Sequence, residues 1–127
     1  MSTPVHRRHP ARMDALKLAK QLEIYTIKKS HNEKYFSKKK YRRLLTGEII
    51  RQTKDCYNFL VKAFYCEDKE TAMQYLNEAT LSLQVLAAQL DVANTLYETP
   101  IPNISFWAEQ IEGVKEGIER WMKTLRK

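Results

Sequence analysis

The sequence predicts an all-α protein: an antiparallel, up-down four-helix bundle. Three observations predict it. Apolar residues recur at spacings of three and four along four long segments, and no run alternates like a strand. The chain of 127 residues contains only 3 Gly and 4 Pro, and these fall mostly between the periodic segments. Helices of 25–30 residues would be ~40 Å long, whereas a compact chain of this length has a radius of gyration of only ~14 Å, so the helices must lie side by side.

Residues 1–10 read as a flexible basic arm, and 11–127 as the bundle domain. The first helix is expected over about 11–31, where Ala15, Leu18, Leu22 and Tyr25 form a stripe that Leu16, Ala19, Ile24 and Ile27 widen. The stretch SHNEKYFS breaks the pattern. The second is expected over about 38–66, with Ser37 as its N-cap and Tyr41, Leu45, Ile49, Cys56, Leu60 and Ala63 on one face. The third, over 69–98, has Asp68 as its cap and Glu70 in the first turn, where a carboxylate suits the helix dipole. Its residues Leu76, Ala79, Leu83, Leu86, Leu90, Ala93 and Tyr97 make an unbroken heptad seam. The fourth, over 104–126, follows Asn103 and the Pro100/Pro102 turn. It buries Ile104, Trp107, Ile111, Val114, Ile118, Trp121 and Leu125. Short connections after the second and third helices make sequential neighbours antiparallel.

Charge is segregated along the chain. Residues 1–43 hold 13 of the 22 Lys/Arg and three of the 15 acids. Such asymmetry favours an anionic partner, with a basic tail and a solvated helix face as the plain alternative. The sharpest local feature is Lys38, Lys39 and Lys40 at the start of the second helix, extended by Arg42 and Arg43. A helix N-terminus carries about half a positive charge and four unpaired N–H groups, so cations are misplaced there unless an anion docks. Lys28, Lys29 and Lys34 lie just before this cluster, and Arg7, Arg8 and Arg12 in or beside the arm. Together these eleven residues are the candidate nucleic-acid contacts. Tyr35, Phe36 and Tyr41 interleave with them, either to stack on bases or to serve as core and staple.

The third helix carries a second apolar stripe, Leu81, Val85, Ala88 and Val92, read as a subunit interface. The alternative is that a central helix simply touches two neighbours. Gly113 and Gly117 form Gly-x-x-x-Gly, which in a polar helix points to close approach of another helix rather than to a membrane dimer.

Several function classes are unsupported. His6, His9 and His31 do not follow a Glu by three positions, and there is no Cys-x-x-Cys or Gly-x-x-x-x-Gly-Lys. The reading is a non-enzyme without metal or cofactor. No segment has the ~20 apolar residues of a membrane span, and the N-terminus lacks a secretory h-region. A cytoplasmic protein with two reduced cysteines, Cys56 buried in the core, is expected.

Three stretches carry a family resemblance: KKSHNEKYFSKKKYRRLL entering the second helix, KETAMQYLNEATLSLQVLAAQLDVANTL, and the ending AEQIEGVKEGIERWMKTLRK. From about residue 24 the chain resembles small bacterial four-helix-bundle proteins. It is nearest to the accessory variability determinant of diversity-generating retroelements. A second branch comprises proteins encoded in intervening sequences of large-subunit ribosomal RNA genes, whose Asn-Ile-Ala-Glu-Gly type motif is missing here. The resemblance implies a homo-oligomeric barrel, a basic homopentamer of four-helix protomers, that binds RNA or DNA and a reverse transcriptase, and assists mutagenic cDNA synthesis without being the polymerase. The rival readings are an RNA-binding bundle with no polymerase partner and a helical protein-interaction adaptor.

Overall fold

A computed structural model describes residues 10–31, 39–96, 101 and 103–126, with the side chains of 39–44 excepted. The described residues contain four helices: α1 (Pro10–Ser30), α2 (Lys39–Phe64), α3 (Lys69–Leu96) and α4 (Ile104–Arg126). No strand occurs among the described residues. They form a helical bundle with one continuous apolar core.

α1 begins at Pro10, one residue inside the expected arm. Proline suits the first helical position because its missing N–H has no helical partner there in any case. α1 buries small residues, Ala11, Ala15 and Ala19, together with Leu22, so its neighbours approach closely. α2 buries Leu45, Ile49, Cys56, Leu60 and Ala63; its expected cap, Ser37, lies outside the described residues. α3 begins as the sequence predicts. The Asp68 carboxylate accepts from the Thr71 amide at 3.0 Å and from the Thr71 hydroxyl, and these bonds hold its carboxyl below the usual range. From Leu76 to Ala93 the whole heptad seam is buried; Tyr97 lies outside the described residues. On α4, Trp107, Ile111, Val114, Ile118, Trp121 and Leu125 are buried as expected, whereas Ile104, expected on the same face, is only half-buried because it sits at the first turn of the helix. Burial of each Trp contributes about 4–6 kcal/mol.

α1 packs against α2 and α4, and α3 packs against α2 and α4, so α1 and α3 occupy opposite corners. Thr26 meets Trp107, Ala15 meets Gly117, and Arg12 meets Trp121. The order reverses along the two helices, which makes α1 and α4 antiparallel. The α2–α3 seam is the most extensive and α3–α4 the thinnest. A cavity of about 240 Å³, lined by Ala87, Leu90, Asp91, Ile104, Ala108 and Ile111, opens along that thin seam.

The connection between α3 and α4 is pinned from two sides. Asn94 Oδ1 accepts from the Ile101 amide at 3.0 Å, and Ile101 is buried. Asn103 then turns the chain into α4 with φ at 59°, a left-handed conformation that Asn adopts more readily than most residues. Among the described residues, no helix is long and apolar enough to cross a membrane.

Candidate nucleic-acid interface

Arg12 near the start of α1 touches Phe64 at the end of α2. The end of α1 and the start of α2 therefore share the opposite end of the bundle, where the start of α4 joins them through the Thr26–Trp107 contact. That end concentrates cations on the backbone. Lys28 and Lys29 fill the last turn of α1, where they complement the helix dipole. Lys39 and Lys40 open α2, whose first turn contains no acid, and Arg42 and Arg43 follow within the next turn. Lys34, Lys38, Arg7 and Arg8 lie outside the described residues.

Two of the expected contacts are placed elsewhere. Lys29 is only 6% exposed. Its Nζ donates to the Tyr25 hydroxyl at 3.1 Å and sits 5.4 Å and 5.7 Å from the Tyr25 and Trp107 ring centres. Arg12 is fully buried, with its guanidinium carbon 4.9 Å from the Trp121 ring and 5.6 Å from Phe64. The physical reason is shared: both cations lie on the inner face of α1, opposite a Trp of α4, and an aromatic face offers a buried cation its negative quadrupole. Each end of the bundle thus seats one cation in an aromatic box. Lys28 remains exposed on the solvent side.

The expected interface stripe is solvent-facing. Leu81 and Val92 are 52% and 45% exposed, Ala88 is exposed and Val85 half-buried. Leu96 prolongs the row beyond the residues the spacing singled out. Sequence reasoning also placed Ile24 on the buried stripe of α1, yet it is 43% exposed. It sits beside exposed Phe106, whose ring packs edge-on against Tyr25 at 5.3 Å. These residues belong to a groove of about 610 Å³ between α1 and α4. The signal for it was Gly113, where an added Cβ would meet nothing within 4 Å. Gly117, by contrast, lies in close contact: a Cβ there would stand 3.4 Å from the Ala15 backbone. The two glycines of the Gly-x-x-x-Gly pair therefore have different roles.

A second asymmetry complements the basic end. Residues 70–114 contain no Lys, Arg or His but six acids. Among the described residues, no group of three His, Cys, Asp or Glu converges as a metal site would require. Burial pushes the Cys56 thiol up to about 12, so this sulfur is a packing atom and a poor nucleophile. Comparison with protein-family models, curated proteins and solved structures finds no match.

Proposed function

We propose that the protein is a non-enzymatic nucleic-acid-binding accessory protein of the cytoplasm: an up-down bundle, self-associating as a ring, pentameric by the family resemblance. It binds template RNA and cDNA and, by the same resemblance, a reverse transcriptase, and it assists mutagenic reverse transcription. The observation that carries this reading is that the last turn of α1 and the first turns of α2 lie at one end of the bundle, with Lys28, Lys39, Lys40, Arg42 and Arg43 at positions in those turns and no acid among them. Two helix starts, of α2 and α4, share that end and add partial positive charge. A phosphate backbone satisfies both, and repetition around a ring lets the field track a long polyanion.

The test is a fluorescence titration of structured RNA and of duplex DNA across several salt concentrations. Affinity should fall steeply with salt. Replacing Lys38, Lys39, Lys40, Arg42 and Arg43 by Gln should flatten the slope and leave the melting temperature unchanged or raised. Unchanged affinity and slope would move binding elsewhere, to Arg7 and Arg8 first. A melt lowered by several degrees would make these cations structural. A helical adaptor is the second reading, favoured by the exposed apolar row of α3; salt-independent failure to bind any nucleic acid would select it.

A further inference from the structure

The seam between α3 and α4 is the thinnest in the bundle, and a cavity of about 240 Å³ opens along it. Small residues leave the gap. Ala87 of α3 and Ala108 of α4 both line the cavity, and two methyl side chains do not fill the space between their helices. The apolar floor is Leu90, Ile104 and Ile111, of which Leu90 and Ile111 are buried. The remaining lining residues are acids, Asp91 from α3 and Glu112 from α4, both exposed at the mouth.

The charge of this cavity is one-sided. No cation lines it, and residues 70–114, which supply its whole lining, contain no Lys, Arg or His. The next cation along α4, Lys115, lies three positions beyond Glu112 and outside the lining. Among the described residues, the Asp91 and Glu112 carboxylates have no hydrogen-bond or ion-pair partner. The larger α1–α4 groove differs, because Lys28 and Glu109 both line it and their charges offset.

We propose that the α3–α4 cavity binds a small organic cation, one ammonium group carried on an apolar body. Volume sets the size: 240 Å³ is about eight times the ~30 Å³ that a water molecule occupies in the liquid, so the ligand has about eight non-hydrogen atoms. Its apolar body covers Leu90, Ile104 and Ile111, and removing that surface from water drives entry. Its ammonium stays at the mouth, partly hydrated, and donates to the Asp91 and Glu112 carboxylates. A neutral molecule of the same shape forfeits those contacts, and an anion meets two like charges. Two solvated ion pairs together give about a tenfold preference for the cation over its neutral analogue. The site needs neither the nucleic acid nor the self-association proposed above.

The experiment is an NMR titration of the full chain with three probes that share one body and differ in charge: hexylammonium, hexanol and hexanoate. Amide shifts should centre on Ala87, Asp91, Ala108 and Glu112. Hexylammonium should bind about tenfold more tightly than hexanol, and hexanoate most weakly. The double variant Asp91→Asn/Glu112→Gln should bring hexylammonium down to the affinity of hexanol and leave hexanol unchanged. Ala108→Leu fills the cavity from α4 and Ala87→Leu from α3; each should abolish binding of both probes with the helical signal intact, and either one that folds decides the point. Equal affinity of the parent for hexylammonium and hexanol overturns the proposal. So do shifts centred away from the four named residues, an amine preference that survives in the double variant, and binding that survives a folded leucine variant.

Discussion

The indole Nε1 of Trp107 donates a hydrogen bond to the Thr26 hydroxyl at 3.1 Å, joining residues 81 positions apart in a buried setting. It ties the start of α4 to the last turns of α1. Thr26→Val keeps the side-chain volume and removes the acceptor. It should cost about 1–2 kcal/mol in urea unfolding with an unchanged slope. Thr26→Ser, which keeps the hydroxyl, should retain most of that stability; equal losses in both variants would assign the effect to packing.

Arg12 should be a stability residue and not a binding residue. Arg12→Gln should lower stability by about 2–3 kcal/mol, roughly 8–12 °C in Tm, because the guanidinium no longer stacks between Trp121 and Phe64. Arg12→Met, apolar and of similar length, should stay within about 1 kcal/mol of the parent. Salt-dependent RNA titration should give both variants the parent slope; a slope reduced in proportion to the lost charge would return Arg12 to the binding surface.

The three glycines should separate by sign. Gly47→Ala and Gly113→Ala meet no neighbour within 4 Å, so each should gain up to about 1 kcal/mol of helix propensity. Gly117→Ala places its Cβ 3.4 Å from Ala15 and should lie near neutral. Gly117→Leu should cost about 1–3 kcal/mol by forcing α1 from α4. Urea midpoints of the four variants check the order.

Thiol titration should find one reactive cysteine in the folded protein. With the Cys56 thiol raised from 9.0 to about 12 by burial, its thiolate is about a thousandfold scarcer than normal at neutral pH. Cys66, half-buried with its Sγ donating to the Asp68 carbonyl, should react first, and Cys56 only after unfolding. Two thiols of equal rate in the native protein would contradict the burial of Cys56.

The cap of α3 should give stability a pH dependence of definite sign. The Asp68 carboxyl is lowered by the Thr71 hydroxyl, then by the Thr71 amide. Its folded value lies below its unfolded one, so the contribution is complete above the ordinary carboxylate pKa. It is lost as pH falls through the lowered value. The Tm advantage of the parent over Asp68→Asn should be constant at neutral pH and shrink below about pH 4. An advantage that persists into strong acid would show that the charge is irrelevant to the cap.

What was legible in the chain follows the range of the force involved. The seam from Leu76 to Ala93 and the Asp68 cap depend on neighbours three or four residues away, and both were readable. The outward row from Leu81 to Val92 was readable for the same reason, as a second stripe of helical period. Arg12 and Lys29 were not, because each is buried by a Trp about 80 to 110 positions distant and a cation in a basic stretch reads as solvated. Ile101, between two prolines, read as a turn; it is buried because Asn94 fixes its amide, a contact with no periodic signature. Ile24 has the spacing of a core residue, yet only the placement of α4 decides which edge of a wide stripe meets a neighbour.

The pairing of α1 with α4 has a consequence for the route by which the chain folds. α2 and α3 are joined by a four-residue turn at 65–68 and share the most extensive seam, so their hairpin closes a short loop at small entropic cost. The Thr26–Trp107, Ala15–Gly117 and Arg12–Trp121 contacts join residues 81 or more positions apart, an entropic cost most readily offset once the hairpin supplies a surface to dock on. The first and last helices are then expected to dock onto a preformed pair. On that expectation, weakening either aromatic box should mainly speed unfolding and change the folding rate little, which the two arms of a chevron for Arg12→Gln would read.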